Sequence, residues 1–177
     1  GKQAMQENAR SLKARGIPCV VDPGQGLPLF DAAELTEMLE GASIYIVNEY
    51  EWALTQERLQ LHEDEIAERV GALVVTRGEK GSFVRRGGRD SGLIFEADRS
   101  EIAAVKADPV VDPTGCGDAY RAGLLHALDQ GWSVVAGAHL GAVMGALKVS
   151  RAGPQSIEED RAHILERFER ESGPTPG

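Results

Sequence analysis

The sequence predicts an α/β protein: a largely parallel twisted sheet flanked by helices, with an antiparallel hairpin at its edge. Three observations carry this expectation. Short apolar runs rich in β-branched residues recur at 17–21, 44–47 and 72–76, separated by helix-forming stretches, and such alternation builds parallel sheets through crossover helices. Beyond Thr76, clusters of glycine and charge bracket a short apolar run, which is a hairpin pattern. From Gly115 onward apolar residues return at helical spacing, through Ala119, Ala122, Leu125 and Leu128.

Taken in order, residues 2–15 are polar helix formers that Gly16 stops. The strand at 17–21 ends in the turn Asp22-Pro23-Gly24. Asp31, with Glu34 three residues on, caps a helix that runs through Glu40 and closes at Gly41. The strand at 44–47, a helix over 61–70 and the strand at 72–76 complete the alternation. Arg77-Gly78-Glu79-Lys80-Gly81 and Arg86-Gly87-Gly88-Arg89 flank the hairpin strand Ser82-Phe83-Val84-Arg85, and further strands are expected near 92–96 and 101–105. Helices near 134–149 and 157–170 follow the one that begins at Gly115. No linker or repeat interrupts residues 1–172, which read as one compact unit, and 173–177 read as a loose tail.

Composition narrows the function classes. The 177 residues are 42% apolar and 27% charged, enough for one domain, because a chain of ~150 residues buries ~70% of its extended surface. Nineteen basic side chains against 28 acidic ones give a net charge of −9, which argues against nucleic acid or an anionic membrane as a partner. Any anion must be held locally. Two cysteines, Cys19 and Cys116, make neither a disulfide framework nor a zinc spacing and suit a reducing compartment. No apolar window of about 18 residues and no signal peptide occur, so a cytoplasmic protein is expected. Gly1, entering a helix with no initiator methionine, reads as the start of a piece of a longer protein.

The most informative stretch is Val111-Asp112-Pro113-Thr114-Gly115-Cys116-Gly117-Asp118-Ala119, in which small residues lead straight into a helix. Gly115, Cys116 and Gly117 would leave backbone N–H groups open at the positive end of that helix, an arrangement that holds phosphate. Asp118 in the first turn could accept the proton of an attacking hydroxyl. Oriented donors of this kind stabilise the charge of a transferring phosphoryl group. The pattern is neither a P-loop nor a dinucleotide fingerprint. The plainer reading is a tight turn with Asp118 complementing the helix dipole.

Asp112-Pro113-Thr114-Gly115-Cys116-Gly117-Asp118-Ala119-Tyr120-Arg121-Ala122-Gly123 resembles the C-terminal signature of the ribokinase-like (PfkB) family of sugar and nucleoside kinases. Asn48-Glu49-Tyr50-Glu51 is similar to its Asn-x-x-Glu motif, Thr76-Arg77-Gly78-Glu79-Lys80-Gly81 to its nucleotide loop, and Asp22-Pro23-Gly24-Gln25-Gly26 to its Asp-Pro strand end. The run at 22–30 and Met144-Gly145-Ala146-Leu147-Lys148 look most like the bacterial adenosine kinase or sugar kinase branch.

The resemblance implies a ribokinase-like fold and transfer of the γ-phosphoryl group of ATP to a primary hydroxyl of a sugar or nucleoside. It makes Asp118 the base and 115–117 the anion hole. Asn48 and Glu51 would orient the Mg²⁺ hydration shell, although the same two residues could simply cap the helix that follows strand 44–47. Thr76, Arg77, Gly78 and Gly81 would lie along the nucleotide. Asp112 and Thr114, with carbonyls of 150–156, would form a K⁺ site. Asp22 reads as a crevice residue or as a plain turn. Cys116, His62, His126, His139, His163, Trp52 and Trp132 read as structural. Family chains are about 300 residues long, so an N-terminal part with the acceptor site and lid would precede this chain. On its own it is expected to bind nucleotide weakly and turn over poorly or not at all, with an exposed sheet edge, and a homodimer is expected of the full-length protein. The rival readings are a non-catalytic nucleotide-binding module and a hydroxymethyl vitamin-precursor kinase of the same fold.

Overall fold

Helix α1 (Lys2–Ala14) opens the computed structural model, which describes residues 1–176, and Gly16 ends it in the left-handed region at φ 64°. Of the expected loose tail, Gly177 lies outside the described residues. The chain divides into two compact units: one comprises residues 1–77, 83–93 and 97–99, the other 78–82, 94–96 and the chain from Ser100 onward. The division runs through turns and strand ends, with no linker composition to mark it.

In the first unit, β1 (Val20–Val21) pairs in parallel with β2 (Ile44–Asn48), and β2 pairs in parallel with β3 (Ala72–Thr76). Register runs from Ile44 opposite Ala72 to Asn48 opposite Thr76. Residues 44–47 and 72–75 are buried, which explains their near-continuous apolar character. Phe30, Leu35, Leu39, Tyr45, Leu73 and Val75 fill the core, each such side chain contributing ~1.5–3 kcal/mol. Buried Tyr45 keeps its hydroxyl satisfied at 2.7 Å from Thr55 Oγ1. Helix α2 (Ala32–Glu40) carries the expected capping box between Asp31 and Glu34.

Helix α3 (Glu49–Leu59) is the one that the capping reading of Asn48 and Glu51 places after strand 44–47, and α4 (Glu63–Ala67) lies within the 61–70 helix expected, shorter at both ends. Strand 17–21 shrinks to two residues. Pro18 has no N–H for a ladder, and the Ile17 N–H turns back to Leu12 O. The turn at 22–24 continues into a 3-10 helix over Gly24–Leu29.

Strand β4 (Ser82–Arg86) follows β3 after only residues 77–81, too short for a parallel crossover. The sheet is therefore mixed. Its strand order is β1-β2-β3-β4-β5, with β5 at Arg99–Ile102 taking the place of the strand expected at 101–105. No strand forms at 92–96. The Ile94 carbonyl instead accepts the Val134 N–H at 3.0 Å, serving the first turn of α6 (Val134–Val149) rather than a ladder.

In the second unit, α5 (Cys116–Asp129) and α6 approach closely through glycine. A Cβ added at Gly123 would lie 2.9 Å from Gly141 N, and one at Gly141 would lie 2.8 Å from Tyr120 O. Helix α7 (Arg161–Ser172), capped by Asp160, brings Phe168 to 5.3 Å from Trp132 beside Leu140, Val143 and Leu147. His126 and His139 lie on α5 and α6. Among the described residues no helix is long and apolar enough to cross a membrane.

Candidate active site

The loop before α5 is organised by Asp112. Its N–H donates to Val149 O at 3.0 Å, its Oδ1 accepts from Thr114 N at 2.8 Å and its Oδ2 accepts from Gly153 N at 2.9 Å. Its carbonyl accepts from Lys148 Nζ at 3.0 Å. These backbone donors, Thr114 first, hold the carboxyl down at about 2. The Asp112 oxygens assigned by resemblance to a K⁺ ion thus each accept a hydrogen bond from within the protein. Both carboxylate oxygens accept backbone N–H groups, and the carbonyl accepts an ammonium.

Gly115 then turns the chain at φ 83° as the N-cap of α5, with no side-chain cap. Only glycine fits there, since an added Cβ would sit 2.5 Å from Pro154 O and the conformation itself is left-handed. The Cys116 N–H donates to Pro113 O at 3.1 Å. Gly117 and Asp118 hold the exposed first-turn positions, where N–H groups lack intrahelical acceptors. Burial pushes the Cys116 thiol up, outweighing the lowering by the Lys148 charge.

The Asp118 carboxylate is 77% exposed and pairs with Arg121 at 2.6 Å. Water screens an ion pair so open, so it leaves Asp118 accessible to an incoming hydroxyl. Arg121 also flanks Gly117, whose added Cβ would find the guanidinium nitrogens nearest, from 3.4 Å.

In the first unit, Asn48 and Thr76 are register partners at the C-terminal ends of β2 and β3, the end of a parallel sheet where ligands bind. Asn48 Oδ1 accepts from Glu51 N at 2.8 Å, and Glu51 Oε2 accepts from Asn48 N at 2.9 Å. This is a full capping box on α3. It leaves Glu51 Oε1 outside the box. Thr76 Oγ1 donates to Val47 O at 3.5 Å, and the Arg77 guanidinium lies 5.5 Å from the centre of the Phe83 ring. Asp22 Oδ1 accepts from Gly24 N at 2.9 Å, which is the turn geometry. Trp52 meets Phe83 edge-on at 6.5 Å.

In the second unit, Gly78 adopts φ 57° with open space where a Cβ would stand, whereas an added Cβ at Gly81 would lie 2.0 Å from Ile102 O. Gly78 is thus the member of the Thr-x-Gly-x-x-Gly loop whose backbone a ligand could approach. Gly81 is needed for packing. Among the described residues no three His, Cys, Asp or Glu side chains gather as a metal-ligand set.

Sequence reasoning passed over Lys148. It is fully buried near the end of α6 and donates to Asp112 O at 3.0 Å and Arg151 O at 3.1 Å. A single lysine in the otherwise uncharged 134–149 run was the available signal. Arg121, the partner of Asp118, was also missed, although its i,i+3 spacing on a helix announces the pair.

A profile of the pfkB family of carbohydrate kinases matches residues 2–161. The structure of Burkholderia thailandensis nucleoside kinase in complex with inosine superimposes with a TM-score of 0.91 at 43% identity, covering 99% of this chain and 55% of that one. The same enzyme in complex with ADP-inosine gives 0.90 at 44% identity, covering 99% of this chain and 52% of that one. A nucleoside kinase of Methanocaldococcus jannaschii is 35% identical over 150 residues, 84% of this chain and 46% of its own length. The chain spans about half the length of the curated relatives it matches. With its signature loop, its Asn-x-x-Glu box and its ribokinase-like fold, it belongs to the pfkB family of carbohydrate kinases.

Proposed function

We propose that this chain carries the phosphoryl-transfer machinery of an ATP-dependent nucleoside kinase, with the primary hydroxyl of a nucleoside as acceptor. The observation that carries the reading is the uncapped first turn of α5, where Gly117 and Asp118 stand exposed behind the left-handed Gly115. Asp118 takes the proton of the hydroxyl as its oxygen bonds to the γ-phosphorus. The bond from that phosphorus to the β-γ bridging oxygen breaks, and ADP leaves. First-turn N–H groups and the helix dipole stabilise the charge on the transferring group. Thr76, Arg77 and Gly78 serve the nucleotide. Glu51 Oε1 and Asn48 would hold Mg²⁺ through its waters, a hard oxygen donor set that suits this ion, which when bound neutralises phosphate charge.

Nucleosides as a class replace adenosine in particular, because the relatives that cover this chain at 35–44% identity are nucleoside kinases and one of them holds inosine. The test is single-turnover transfer of label from ATP to inosine, adenosine, ribose and fructose. Labelled nucleoside monophosphates are expected to outpace sugar phosphates, with Asp118→Asn slower by ~10²–10⁴. Preference for a free sugar, or full activity in Asp118→Asn, would overturn the proposal.

A further inference from the structure

We propose that the Lys148 ammonium is a built-in cation that holds the glycine loop in its working shape, so that the loop needs no K⁺ or other monovalent ion. Lys148 is fully buried, and its Nζ donates to two backbone carbonyls, Asp112 O at 3.0 Å and Arg151 O at 3.1 Å. A buried ammonium is costly unless such partners surround it. One carbonyl precedes the Gly115 turn. The other lies in the segment whose Pro154 closes against Gly115. The two strands of this clasp are tied again by Gly153 N to Asp112 Oδ2 at 2.9 Å and by Val111 N to Val149 O at 2.8 Å.

A dissolved monovalent cation in this place would need free carbonyl and carboxylate oxygens. Here both carbonyls already receive an ammonium, whose positive charge repels a second cation, and each Asp112 carboxylate oxygen already accepts a backbone N–H, from Thr114 and Gly153. The lysine reaches this spot from the last turn of α6, where the helix dipole also favours positive charge. Arg151 is held in turn by Glu158 at 2.6 Å and Glu159 at 2.7 Å, which fixes the backbone that presents its carbonyl. Lys148 therefore acts as a positioning residue: it touches no reacting atom and works through the loop that leads into Gly117 and Asp118.

The test compares melting temperature and ATP affinity of the chain in KCl, NaCl and choline chloride at equal ionic strength. The affinity arm rests on the function proposed above. The melting arm does not, so absence of ATP binding would count against that function while melting still decides the role of Lys148. Wild type is expected to melt alike in all three salts and to keep its affinity within about twofold. Lys148→Met, which keeps the apolar stem, is expected to melt lower and bind ATP about tenfold more weakly. Lys148→Ala is expected to recover with propylammonium, which replaces the deleted amine, and not with choline, which is too large. A wild-type chain that melts lower in choline than in K⁺ would overturn the proposal. So would a Lys148→Met variant indistinguishable from wild type, or a folded Lys148→Ala that propylammonium leaves unchanged. Should Lys148→Ala fail to fold, the salt series on wild type and the Lys148→Met melt decide.

Discussion

Helix α3 starts with its first-turn donors engaged by its own side chains, Asn48 accepting from Glu51 N and Glu51 from Asn48 N. Helix α5 starts with Gly115, which has no side chain to cap with, and with Gly117 and Asp118 exposed. The first end is closed by a stabilising device worth ~1 kcal/mol. The second forgoes that stabilisation and keeps donors and dipole available to an anion. The difference arises from residue choice within a single turn, Asn48 and Glu51 in one helix against Gly115 and Gly117 in the other.

The capping boxes supply a way to sharpen the comparison, because α2 has the same box built from Asp31 and Glu34. Asp31→Ala and Asn48→Ala should each lower stability by ~1 kcal/mol in denaturant melts. Only Asn48→Ala should also weaken the Mg²⁺ dependence of ATP binding. Equal Mg²⁺ responses in the two variants would return Asn48 and Glu51 to a purely capping role.

A smaller effect follows from Asp112. Its folded value is lowered to about 2, against ~3.9 in an unfolded chain. The stabilisation it lends is thus present above pH ~4 and is lost as pH falls from there toward 2. Asp112 is only half-buried, so screening keeps the effect modest. Asp112→Asn should flatten the acid limb of the melting-temperature profile. An unchanged limb would assign acid sensitivity to other carboxylates, with Glu34, lowered by Lys2, and Glu37, lowered by Arg10, the first to test.

Much of this was legible in the chain. The Asp31–Glu34 box, the 72–76 strand and the start of α5 follow from local rules, and local rules decide those segments because short-range geometry satisfies them. The strand at 92–96 was misread since its backbone is claimed by Val134, 40 residues on, which no local pattern announces. Lys148 escaped for a related reason: a lysine in a helix reads as solvated, and its two carbonyl acceptors become neighbours only through tertiary packing. Cys116 shows a third limit. Small-residue identity gave the loop its shape, while which N–H stays open depended on the Pro113 carbonyl turning inward.

The most direct test of the open α5 terminus is calorimetric titration of Mg²⁺ and ATP into wild type, Asp118→Asn and Gly117→Val. The valine Cβ would find the guanidinium of Arg121 nearest, at 3.4 Å, so folding should survive while the approach of phosphate is blocked. We predict that binding persists in Asp118→Asn and weakens by about tenfold or more in Gly117→Val at an unchanged melting temperature. Binding that is equal in wild type and a folded Gly117→Val would place the phosphates elsewhere and contradict the account.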